Sequence, residues 1–136
     1  MRKHWPSVVL VSLAMTIPSF AKAQEAKQAG AAAASAEAAV GTSIENRMLG
    51  GAAESFPATT QRLWCFSRVS GAAEGSQIEH VWYKDSTEVA RVPLKVGGSP
   101  WRVYSSKNLG ENPSGNWRCD VVQDGKVLQS VSFKVE

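Results

Sequence analysis

Few residues of this chain could do chemistry, and their spacing limits what that chemistry is. Cys65 and Cys119 are the only two cysteines, and of the two histidines only His80 lies beyond the N-terminal segment. A Cys65–His80 nucleophile pair can be written down. A strand-centred cysteine with a second cysteine to pair with is a poor thiolate, however. Glu74, Glu79, Asp85 and Glu88 cluster around one expected hairpin, which allows a carboxylate pair or a weak cation site, but metal-loop spacing is missing and a solvated rim explains them better. The chain has no HExxH, paired CxxC, phosphate-binding glycine loop or GxSxG elbow. No catalytic residue, metal site or cofactor is therefore expected, and His80, alone on a strand beside Trp82, reads as a satisfied structural residue.

The setting of the two cysteines comes from the N-terminus. Met1 to His4 is a short basic start, Val8–Ala14 is an apolar run, and Ala21-Lys22-Ala23 supplies small residues where a signal peptidase reads. The expected division is a signal peptide over 1–23, an alanine-rich linker over 24–39 and a folded domain over 40–136. Cleavage after Ala23 would remove Arg2, Lys3 and Lys22 from the 15 basic residues and match them to the 12 acidic ones. A neutral product lacks the electrostatic footprint of a nucleic-acid binder. No run reaches the roughly 20 apolar residues of a transmembrane helix. The expectation is an exported protein, periplasmic or extracellular. There two thiols oxidise if geometry lets them meet, so Cys65–Cys119 is a candidate disulfide, with two separately buried thiols as the alternative. A bridge would close a loop of roughly 54 residues and contribute ~4 kcal/mol by chain entropy.

The elements that must position these residues are strands. From Val40 onward apolar residues recur with period two between short turns. Strands are expected over 42–48, 61–69, 77–84, 88–96, 101–106, 116–123 and 126–135. Asp85-Ser86-Thr87 and Asp124-Gly125 would be hairpin turns. Links this short exclude crossover helices, so the sheet pairing must be antiparallel. The fold class is all-β: a single antiparallel sandwich of immunoglobulin-like or fibronectin-III-like kind with about seven strands. Cys65, Trp82 and Cys119 fit that template on its second, third and sixth strands, although Trp117 stands where a tyrosine is usual.

Strand parity then sorts the aromatic residues. If Cys65 points inward with Leu63, Ser67 and Val69, Trp64 and Phe66 point outward. Trp117, Cys119 and Val121 face in while Arg118 and Asp120 face out. Trp101 and Val103 face in while Arg102 and Tyr104 face out. In this sandwich the Cys65 strand neighbours the Arg102 strand, so Trp64, Phe66, Arg102 and Tyr104 would share one outer face, with Lys107 near its end. Aromatics beside an arginine make a binding surface. Burial of Trp64 and Phe66, or their cover by a loop or the alanine-rich segment, is the alternative.

Several of these segments together resemble a known family. Trp82-Tyr83, the run Trp101-Arg102-Val103-Tyr104-Ser105-Ser106-Lys107, Gly115-Asn116-Trp117-Arg118, Asp124-Gly125-Lys126-Val127-Leu128 and Phe133-Lys134-Val135 are similar to the bacterial domain of unknown function 2914, over roughly residues 40–136. The sequence departs at Asp85-Ser86-Thr87, where that pattern has a glycine turn, and at Cys119, where it has an aliphatic residue. The resemblance implies an envelope-associated β-domain and supplies no activity. The leading expectation is a non-enzymatic exported interaction domain that binds an envelope protein through the Trp64/Phe66/Arg102/Tyr104 face. A carbohydrate- or peptidoglycan-binding module is the alternative. A hydrolase built on Glu79 and Glu88 comes third.

Overall fold

Alternating apolar and polar side chains bury one face of a strand and leave the other in water. The computed structural model, which describes residues 34–136, is built from ten such strands. They are β1 Ser35–Gly41, β2 Ser43–Glu45, β3 Met48–Gly50, β4 Ser55–Phe56, β5 Arg62–Ser70, β6 Gln77–Lys84, β7 Thr87–Lys95, β8 Trp101–Asn108, β9 Gly115–Gln123 and β10 Lys126–Val135. One sheet has the order β1-β5-β8, a second the order β4-β10-β9-β6-β7, and β2 and β3 form a separate ribbon. All pairings are antiparallel except the short parallel bridge of β4 onto the end of β10. This is the expected sandwich. The expected signal peptide and residues 24–33 of the linker lie outside the described residues, among which no helix is long and apolar enough to cross a membrane.

Two departures concern the start of the domain. Residues 42–48 are not one edge strand. The chain turns at Asn46-Arg47, both at positive φ, into the β2–β3 ribbon. The edge strand is β1, which begins at Ser35, inside the segment expected to be a linker, and pairs with β5 from Ser35↔Ser70 to Gly41↔Trp64. Its inward residues Ala36, Ala38 and Val40 pack on the core. A third departure is the β6–β7 hairpin. Its turn is the two residues Asp85-Ser86, at φ 46° and 70°, and Thr87 already belongs to β7. Asp85 is fixed by the neighbouring strand β9, because its Oδ1 accepts from the Asn116 amide at 2.9 Å.

The core follows parity closely. Leu63, Cys65, Ser67 and Val69 of β5 are fully buried, as are Trp82, Cys119 and Val121 opposite them. Asp120 points outward as expected but is buried. Its Oδ1 accepts from Ser130 Oγ at 2.7 Å and from Arg118 Nε at 2.9 Å, so the carboxylate is satisfied on the outer face of central β9. Trp117 stacks on Phe133, with ring centroids 6.1 Å apart. Its Nε1 donates to the Pro113 carbonyl at 2.7 Å. This performs the corner-fixing bond that a tyrosine makes in other sandwiches of this type.

Candidate functional site

The β5–β8 register sets Phe66 opposite Tyr104 and Arg68 opposite Arg102, and places Trp64 opposite Ser106. Trp64, Phe66, Arg68, Arg102 and Tyr104 therefore share the outer face of the three-stranded sheet. Trp64 and Tyr104 meet edge to face at 6.1 Å. Tyr104 is 38% exposed and Arg102 is exposed, whereas Trp64 and Phe66 are half-buried. The partial cover has two sources. Strand β1 flanks β5, and the β2–β3 ribbon folds over β1 so closely that a Cβ at Gly41 would strike the Gly50 carbonyl and lie 2.9 Å from Leu49 Cδ1. Glycine at 41 is what admits the ribbon.

Lys107 does not join this face. It is paired with inward-pointing Leu63, and its Nζ donates to the Asn108 carbonyl at 2.7 Å. An odd number of residues from Arg102 and Tyr104 puts Lys107 on the other side of the pleat.

Beside Phe66 an open groove of about 480 Å³ is lined by Glu37, Ala38, Ala39, Met48, Arg68 and Arg102. It adjoins a second hollow of about 340 Å³, where Arg47 of the ribbon turn meets Arg68, Arg102, Pro100 and Trp101. Strand parity sets Arg68 on the outward face with Trp64 and Phe66, whereas Arg47 gave no sequence signal for this. Arg47 reaches the site only through the tight turn of a ribbon that the period-two pattern does not separate from a single strand.

Beneath the face lies a buried polar cluster. Ser67 Oγ is 2.7 Å from His80 Nε2, and Ser105 Oγ is 2.7 Å from His80 Nδ1. Trp82 Nε1 donates to Ser105 Oγ at 3.3 Å. A neutral imidazole donates from one ring nitrogen and accepts at the other, so one of the two serine hydroxyls donates to His80 and the other accepts from it. His80 is thus a satisfied core residue that ties the two sheets together, and Ser105 is one of its supports.

Cys65 and Cys119 are both buried, and in this structure they are free thiols rather than the candidate disulfide. They sit on facing sheets, and their sulfurs and a His80 nitrogen all lie within 4.8 Å of one another. The Cys119 thiol turned toward it is the largest influence on Cys65. With help from His80 and Ser67 and against burial, it holds the Cys65 thiol down to about 6. Burial first, and then Cys65 itself, pushes Cys119 up. The trio offers donors suited to a soft ion. Because both imidazole nitrogens are already engaged at 2.7 Å, an ion would have to displace a serine hydroxyl.

The carboxylates near the β6–β7 hairpin are held by partners within the domain. Glu79 and Glu88 both bind Arg91, at 3.2 and 2.7 Å, and Asp85 is engaged by the Asn116 amide.

A two-sheet sandwich with a β1-β5-β8 layer, a Trp82 core plug and facing cysteines defines an immunoglobulin-like β-domain. Residues 75–135 match the family described as protein of unknown function, DUF2914, which bears out over that range the resemblance carried by the Trp82, Trp101–Lys107 and Trp117 segments. Among solved structures the fold is similar to that of an immunoglobulin-like protein from Pseudomonas aeruginosa, with a TM-score of 0.55 at 19% sequence identity, covering 78% of this chain and 98% of that one. No curated protein matches the chain.

Proposed function

We propose that this protein is an exported, non-enzymatic interaction domain of the cell envelope, and that it binds an envelope protein through the outer face of β1-β5-β8. The observation carrying this reading is the convergence of Trp64, Phe66, Tyr104 and Arg102 on that one face, with Tyr104 and Arg102 open to water. Aromatic rings and arginine are the side chains that dominate binding energy when a partner desolvates them. The basic, apolar and small-residue stretches of residues 1–23 support export. Support for a non-enzymatic role is the engagement of His80 by two serines and of Glu79 and Glu88 by Arg91.

Polysaccharide binding is the second reading, favoured by the Trp64–Tyr104 pair, since exposed rings stack on sugars. One experiment separates the two. A photo-crosslinking side chain placed at Tyr104 is compared in the intact envelope with one at Val89, which is exposed on the other sheet. The protein reading expects a discrete adduct from position 104 only, lost on Trp64→Ala. Pelleting with purified sacculi in the absence of an adduct moves the polysaccharide reading ahead, and equal adducts from both positions reject the proposed face.

A further inference from the structure

The outer face carries an arrangement of charge that the fold itself does not need. In the β1-β5-β8 register Glu37 stands opposite Arg68 and Arg68 opposite Arg102, so two guanidiniums are direct cross-strand neighbours. Like charges directly opposite are destabilising in an antiparallel pair. Arg47 adds a third guanidinium to the same hollow. It does so from a left-handed backbone position, φ 60°, where a turn of this kind favours glycine. None of Arg47, Arg68 and Arg102 makes an ion pair or a side-chain hydrogen bond among the described residues, although Arg91 and Arg118 on the other sheet do. Strain and repulsion gathered at one exposed spot, where three guanidiniums face the single carboxylate of Glu37 and none is ion-paired to it, point to further counter-charge from outside.

Resting on the interaction-domain reading above, we propose that the partner is recognised through an acidic segment: carboxylates bind Arg68, Arg102 and Arg47 while a neighbouring apolar side chain enters the groove between Phe66 and Met48. Guanidinium forks match carboxylates in bidentate fashion. Arg68 and Arg102 line both hollows, so the charged and apolar subsites are continuous. Glu37 borders the same groove and narrows the choice of occupant. A densely anionic surface such as a lipid headgroup layer would meet its carboxylate. A segment carrying one or two acids among apolar residues can place them on the arginines and leave Glu37 to accept a backbone N–H.

The test uses a fluorescein-labelled peptide of alternating leucine and glutamate, its leucine–glutamine counterpart, and phosphatidylglycerol-containing vesicles, each titrated with the protein. The glutamate peptide is expected to bind at least tenfold more tightly than the glutamine peptide and to weaken as salt rises. The double variant Arg68→Gln/Arg102→Gln should lose at least tenfold, while its melting temperature stays equal to or above the parent's because a like-charge pair has been relieved. Equal binding of the two peptides, no binding of either, or indifference to the double variant overturns the proposal, as does vesicle binding without peptide binding. Crosslinking from position 104 without glutamate preference would leave the interaction face standing and remove only its acidic partner. The reverse result would detach the arginine site from the wider reading.

Discussion

Ionisation of Cys65 is coupled to folding because its surroundings favour the thiolate. The Cys119 thiol, His80 and Ser67 lower its pKa from 9.0 to about 6, whereas Cys119 is raised by burial. Between pH 6 and pH 9 the folded pair holds one proton and the unfolded pair two, so stability rises with pH, by up to ~1.4 kcal/mol per unit. Above pH 9 the sign reverses, since unfolded chains lose both protons while folded Cys119 keeps its own. Urea midpoints measured under reductant at pH 6, 7.5 and 9 should increase in that order and decline by pH 10. Cys65→Ala should flatten the rise. A flat parental profile would show that Cys65 stays protonated in the fold. The cysteine positions were readable from sequence because the spacing to Trp82 is that of a sandwich core. Their oxidation state was not, since spacing says nothing about which neighbours face the sulfurs. Ser67 and Ser105, which hold His80, carried only the weak signal of polar residues at inward parity.

At the scale of elements, turn chemistry explains both what was legible and what was not. Asp124-Gly125 is a glycine-bearing turn and stands where it was expected, at φ 49° and 76°. Asp85-Ser86 makes the same kind of turn without glycine, and the missing residue left its boundary one position too long. Ser86 at φ 70° is strained in a way glycine is not. Ser86→Gly should therefore raise stability by roughly 0.5–1 kcal/mol after the entropy that glycine adds to the unfolded chain is subtracted. Chemical denaturation of the two proteins measures this directly, and a loss of stability would mean that the serine hydroxyl has a role the backbone angle does not reveal. The β2–β3 ribbon was read as one strand for the same reason, because Asn46-Arg47 lacks the glycine that marks a reversal. Parity, by contrast, was secure on β5 and β8. Nine- and eight-residue strands leave one register consistent with Leu63, Cys65 and Val69 inside, which sets Trp64, Phe66, Arg102 and Tyr104 on one face, while the partial cover of Trp64 and Phe66 was not legible and the same parity turns Lys107 away from them.

For the molecule as a whole, the least legible element is the one that completes the three-stranded sheet. Strand β1 does alternate, with Ala36, Ala38 and Val40 inward and Ser35 and Glu37 outward, but one-carbon side chains give so little contrast that composition reads as a tether. Its smallness is structural. Ala34, Ala36 and Ala38 cover the Val69–Ile78–Val121 cluster without a bulky layer of their own, and β1 supplies Glu37 and Ala39 to the groove beside Phe66. The proposed binding face and the stability of the sandwich therefore depend on the same strand. An acid at Ala38 would bring an unpaired charge against that apolar cluster, with an expected loss of ~2 kcal/mol or more, whereas Ser35→Asp, exposed on the same strand, should stay within about 0.5 kcal/mol. Since a domain near 100 residues shifts its melting temperature by roughly 4–8 °C per kcal/mol, calorimetry resolves the contrast. Equal, small shifts for both would show β1 to be peripheral to the cooperative unit, and the groove would then be framed by β5, β8 and the ribbon alone. A large shift confined to Ala38→Asp establishes that the alanine-rich strand is part of the cooperative unit.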